Sequence, residues 1–168
     1  MEQENQKVAL SHDIIHKELD LIQDIVKRMA TNSFQVKAWL IGILSALVVI
    51  ESKSIFAQAN ADQSFSMEMN IFLLLPILCF WYLDAFFLST EKLYRELYKW
   101  VIAHRPYTDA YLYDLNTFKR KIAEGEEVNL IEEKNSVWSV MFSKTLVPFY
   151  AVPILFVLGL LFYNFYRR

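Results

Sequence analysis

Along this chain the apolar positions gather into three blocks separated by polar segments. Residues 145–166 form 22 consecutive uncharged positions. At 1.5 Å of helical rise each they would reach about 33 Å, enough for a hydrocarbon core of about 30 Å. Residues 69–90 are uncharged apart from Asp84 and span equally well if that carboxylate is tolerated. The block between Lys37 and Glu51 holds 13 residues and reaches a span only when it begins near Ser33 and Lys37 snorkels to the interface. The last block is apolar all round rather than along one stripe, which sets a membrane span above a soluble bundle with buried helices. Aromatic residues stand near the block ends: Phe34 and Trp39, Trp81 and Tyr82, Phe149 and Tyr150, Tyr163 and Tyr166. Such residues belong at the water–lipid boundary.

The expected organisation is an all-α helical membrane protein with three hydrophobic segments and a helical cytoplasmic region. Its parts are a cytoplasmic amphipathic helix at 1–32, a first membrane segment at 33–51 and a short external loop at 52–68. A second membrane segment at 69–90, a cytoplasmic helical region at 91–144 and a third segment at 145–166 follow. The polar start of the chain lacks an apolar core behind a basic region, so the first segment is expected to serve as an uncleaved signal. Lys and Arg set the orientation. Residues 1–37 carry five, the loop 52–68 carries only Lys53, and 91–144 carries nine. This places the N-terminus and 91–144 in the cytoplasm of a multi-pass inner-membrane protein. A third crossing would leave Arg167 and Arg168 outside, against the rule, so a segment that enters without fully crossing is the alternative.

Between the blocks, the periodicity predicts a helix over 5–31. Val8, Ile15, Ile22 and Met29 recur at seven-residue spacing, a seam suited to helix-on-helix packing. The partner is either the chain's own second cytoplasmic helix or another copy. From residue 70 to His104 no Gly occurs, and Pro76 is the only Pro, so the second span is expected to continue as one helix of about 35 residues, stopped by Pro106. A short helix is predicted over 107–124 and an acidic loop over 125–135.

Composition agrees with long helices: 55% hydrophobic residues, 21% charged, three Gly and four Pro. The net charge of −2 supplies no global basic field for nucleic acid. The single cysteine, Cys79, excludes an intrachain disulfide and lies in an apolar run where its thiolate is disfavoured.

Enzyme signatures are thin, and the expectation is no catalytic residue, cofactor or metal. There is no phosphate-cradling Gly loop, GxSxG or HExxH. His12, His16 and Asp20 share a helix face, a set read as solvated rather than ligating. Arg95 and His104 are weak candidates for the Arg/His pair of HEPN-type ribonucleases, whose motif is R-x(4–6)-H. The gap here is R-x(8)-H, and at 100° per residue the two lie on opposite sides of one helix. Asp84 is the most informative residue. It faces either a pore or a partner such as Lys37, Lys144 or an interfacial Tyr. Lys37, Asn32 and Ser33 lie at similar depth, and with Asp84 and Arg95 they are the candidates for a polar lining or subunit contacts. His104 and Arg105 read as helix C-terminal cations.

The runs 28–39 (RMATNSFQVKAW), 80–88 (FWYLDAFFL) with 91–98 (EKLYRELY), and 142–150 (FSKTLVPFY) resemble small bacterial membrane proteins of phage-defence loci. In size and arrangement the chain is most similar to the membrane accessory protein family of type VI-B CRISPR systems. That resemblance implies a homo-oligomeric membrane pore, functionally coupled to an RNA-guided ribonuclease, with membrane depolarisation as output and no direct nucleic-acid binding. It also implies a degenerate HEPN motif, from which the Arg95/His104 spacing departs. A membrane-tethered HEPN-like ribonuclease and a passive anchor for a soluble effector are the competing readings.

Overall fold

The computed structural model describes residues 11–57, 67–117, 120–121, 127–128 and 135–166. Two long helices dominate. Helix α1 spans His12–Ala57 and α2 spans Met67–His104, giving lengths of about 69 and 57 Å at 1.5 Å per residue. A two-residue antiparallel pairing of β1 (Arg120–Lys121) with β2 (Glu127–Val128) follows. The short α3 (Val137–Met141) and then α4 (Leu146–Tyr166) complete the order. Among the described residues the regular structure is helical apart from that small ladder, and α1 and α2 are long and apolar enough to cross a membrane.

Helix α1 runs without a break from the amphipathic segment into the first apolar block. Nothing in its sequence forces a stop: it has no Pro, and its one Gly, Gly42, sits in open space. The predicted seam begins at Val8, which lies outside the described residues, as do 5–10 of the predicted helix. Along α1 the buried positions are Glu18, Ile22, Ser33, Val36 and Leu40, a helical stripe facing α2. Contacts at Glu18–Arg105, Gln23–Tyr98 and Lys37–Asp84 descend on α2 as they ascend on α1, so the two helices are antiparallel. Helix α4 packs against α2 in the same opposed sense, with Tyr150 reaching Phe80 and Asp84.

Two apolar clusters lie along this assembly. One joins Leu40, Leu73, Ile77, Val140, Leu146, Tyr150 and Val157 from all four helices. The other joins Ile22 to Leu97, Trp100 and Val101, with Leu19, Tyr94 and Leu115 around it. The Ile22 position of the seam therefore packs on the chain's own α2, with Ile15 and Met29 half-buried beside it on the same helix.

Helix α2 ends at His104, two residues before Pro106, as the sequence predicts. Of the helix expected over 107–124, the described stretch 107–117 is not helical, and 118–119 and 122–124 lie outside the described residues. Residues 107–117 are turns and irregular chain, with Tyr111 and Tyr113 at φ of 61° and 58°. The carbonyls of Thr108 and Ala110 are taken by the Arg105 guanidinium, and that of Tyr111 is shared between the guanidinium and the Asp114 N–H, which closes a turn three residues on. Thr108 Oγ1 and Asp114 Oδ1 accept from backbone N–H groups two residues on, closing local turns that compete with a helix. The acidic segment 125–135, expected as a loop, carries β2. Helix α3 starts where the Ser136 hydroxyl accepts from the Ser139 N–H at 3.2 Å.

Candidate functional site

The polar groups that the apolar sequence can least accommodate are those that organise the structure. Asp84 sits on α2 inside the second apolar block and is fully buried. A lone carboxylate there would be costly. Its oxygens are met from two other helices. From α1, the Lys37 ammonium lies 2.7 Å from Oδ1 and 2.6 Å from Oδ2, and the Ser33 hydroxyl donates to Oδ1 at 2.5 Å. Ser33 and Lys37 are four residues apart, one helical turn, so both point to the same spot, and Lys37 also donates to Ser33 Oγ at 2.9 Å. From α4, the Tyr150 hydroxyl contacts Oδ2 at 3.0 Å and the Phe80 carbonyl at 3.2 Å. The Trp81 ring stacks on Tyr150 at 5.9 Å, and its Nε1 donates to the Met141 carbonyl at 3.0 Å, tying α3 to the same place.

This arrangement is charge-neutral and its acceptors are occupied. Chemically it clamps three helices around one carboxylate. The groups that reach Asp84 are Lys37, Ser33 and the buried Tyr150. Asn32 is half-buried one residue before Ser33 and is not among the groups that reach the carboxylate. Trp81 and Tyr150 depart from the boundary-aromatic pattern. Their polar atoms find partners inside the protein, so the rings turn inward, whereas Phe34, Trp39 and Tyr82 remain exposed.

A second polar centre lies at the far end of the hairpin, and sequence reasoning missed it. Arg105 is 1% exposed and forms a two-pronged pair with Glu18, also 1% exposed. Nε and Nη2 each lie 2.5 Å from a Glu18 oxygen. Nη2 also donates to the Tyr111 carbonyl, and Nη1 to those of Ala110 and Thr108. The Tyr113 N–H donates to Glu18 Oε1 at 3.2 Å. The positive φ angles of Tyr111 and Tyr113 turn these backbone groups toward the pair. Such angles cost non-glycine residues about 1–3 kcal/mol each, and the buried ion pair holds them. The available signal was Glu18 itself: it stands three residues after Ile15 and four before Ile22, inside the apolar stripe.

Arg95 and His104 serve separate structures. Arg95 donates from Nε and Nη2 to Glu91 one turn earlier, at 2.8 and 2.7 Å. His104 stacks on Trp100 at 4.6 Å, with Nδ1 2.8 Å from the Trp100 carbonyl. His12 and His16 stack at 6.4 Å on an exposed face of α1. Among the described residues no group of three or more His, Cys, Asp or Glu side chains could hold a metal ion. Cys79 is exposed on the apolar part of α2. Comparison with protein-family models, with curated proteins and with solved structures found no match to this chain.

Proposed function

We propose that this chain is the subunit of a homo-oligomeric pore in the bacterial inner membrane, acting in antiphage defence alongside an RNA-guided ribonuclease. The observation that carries the membrane part is where the large apolar side chains lie. Phe72 and Leu75 on α2, and Val152, Leu155 and Phe156 on α4, are 59–71% exposed. Trp39 on α1 is 61% exposed. A surface this apolar on three adjacent helices is suited to lipid or to other copies of the chain. The few charges within the apolar zone turn inward and pair, as Lys37 and Asp84 do.

Three helices are too few to enclose an aqueous path, so conduction needs several copies. The long α1–α2 hairpin extends past the apolar zone and supplies a collar for such a ring. The link to defence, and to a type VI-B CRISPR ribonuclease in particular, rests on the resemblance carried by residues 28–39, 80–98 and 142–150. In this reading the protein performs no catalysis, and its N-terminus is cytoplasmic.

The test is the mass of the full chain purified in mild detergent and in nanodiscs, followed by dye efflux from liposomes containing it. A multimer of defined size with dye release is the expected outcome. A monomer in both media, with liposomes that stay tight, overturns the proposal.

A further inference from the structure

Between α1 and α2, beyond the Asp84 clamp, the helices part around an open cavity of about 850 Å³. That volume falls within the range of about 300–1,000 Å³ usual for small-molecule sites. On α2 its wall is formed by Lys92, Arg95, Glu96 and Lys99, at spacings of three, four and seven residues that put all four on one helix face. Across from them on α1 stand Gln23, Val26 and Lys27, and Asn135 closes one side. Asn135 is held in place by the Ser89 hydroxyl, which donates to its backbone carbonyl at 2.5 Å.

The wall is rich in donors that lack acceptors. Lys92 has no ion pair among the described residues. Arg95 spends Nε and Nη2 on Glu91, leaving Nη1 without an acceptor among them. Asn135 is 5% exposed, and its side-chain amide nitrogen is buried without a hydrogen-bond partner among the described residues. Lys99 pairs with Glu96 at 2.9 Å, and Lys27 meets Asp24 only at 3.6 Å with both side chains largely exposed. Among the described residues the surplus is therefore the Lys92 ammonium and the Arg95 Nη1 group, and the matching ligand brings anionic oxygens. An Arg and a Lys on one helix face beside the same cavity favour phosphate, which accepts from a guanidinium edge and an ammonium together. Val26 and the Tyr98 ring beside these donors give the cavity an apolar side as well.

We propose that this cavity binds a phosphate-bearing anion, with Lys92 and Arg95 as its principal donors. Two sources offer that chemistry: a soluble phosphate compound, or the headgroup of an anionic lipid at the edge of the apolar zone. The test uses the full chain and measures lysine acetylation rates by mass spectrometry, with Lys17, exposed on α1 outside the cavity, as the internal control. Inorganic pyrophosphate is added to the detergent-solubilised protein at about 1 mM, against sulfate at equal ionic strength. In parallel, nanodiscs of phosphatidylcholine with and without phosphatidylglycerol are compared.

The expected result is a slowing of Lys92 acetylation by about tenfold or more, absent at Lys17, with at least one of the two probes. Protection by pyrophosphate identifies a soluble ligand, and protection by phosphatidylglycerol alone identifies a headgroup. Arg95→Gln, a change at a side chain 60% exposed, should raise the pyrophosphate or lipid concentration needed for protection by about tenfold. Absence of protection by both probes, equal protection of Lys17, or full protection in Arg95→Gln overturns the proposal.

Discussion

Replacing Glu18 by Gln isolates the contribution of charge at the second polar centre. The substitution keeps the shape of the side chain and removes its negative charge. It places an NH2 group against a guanidinium that offers only donors. Every Arg105 nitrogen is already committed, two of its bonds going to Glu18, and both side chains are 1% exposed, so water does not replace the lost acceptor. Breaking a buried pair from one side leaves an uncompensated charge and costs about 3–5 kcal/mol. The double change Glu18→Leu with Arg105→Met behaves differently. It removes both charges together, which for a buried pair is often neutral or stabilising, and the groups it releases, the Thr108 and Ala110 carbonyls and the Tyr113 N–H, belong to exposed or half-buried residues that water can reach, while the Tyr111 carbonyl keeps the Asp114 N–H. The double variant should therefore be more stable than Glu18→Gln. The assay is equilibrium unfolding in mild detergent followed by far-UV circular dichroism. Amide exchange at Tyr113 serves as a local reporter, expected to accelerate in both variants. A Glu18→Gln protein within about 1 kcal/mol of the parent, or a double variant less stable than the single, would refute the reasoning.

Other substitutions probe the remaining contacts. Lys37→Met should destabilise by about 3–5 kcal/mol in the same assay, because Asp84 is fully buried and loses the one counter-charge it has among the described residues. Asp84→Asn should cost less, since the Lys37 side chain is 27% exposed and its ammonium can turn to solvent; the reverse ranking would contradict the geometry. Tyr150→Phe deletes a hydroxyl shared between Asp84 and the Phe80 carbonyl, and a loss of about 1.5–3 kcal/mol is expected, read as a shift in the unfolding midpoint. Phe156→Arg places a charge in the middle of the exposed apolar face of α4, where lipid contact penalises it by about 2.5–3.5 kcal/mol. Less chain in the membrane fraction is the expected outcome, and unchanged partitioning would count against lipid contact there.

The long helices were legible because few residues interrupt them, and the end of α2 because Pro106 cannot continue it. The Asp84 contacts were legible in part. Depth along the apolar blocks singled out Lys37 and Ser33, while Tyr150 appeared among boundary aromatics because its sequence position does not reveal which way the ring turns. The segment after Pro106 was misread for a physical reason. Tyr107, Tyr111, Leu115, Phe118 and Ile122 fall near helical spacing, and local periodicity cannot register a guanidinium that engages three backbone carbonyls of that segment. Arg105 looked like an ordinary helix-end cation because its partner lies 87 residues away.

The Glu18–Arg105 and Lys37–Asp84 pairs sit 19 residues apart on α1 and 21 apart on α2, about 30 Å along the shared axis. They act as two bolts through a hinge plate. Sliding α1 past α2 by a single turn, about 5.4 Å, would strand four buried or half-buried charges at once. Helix register between α1 and α2 is thus fixed at both ends. Any change of shape therefore moves the α1–α2 hairpin as one lever, with α4 held to it at the Asp84 end through Tyr150.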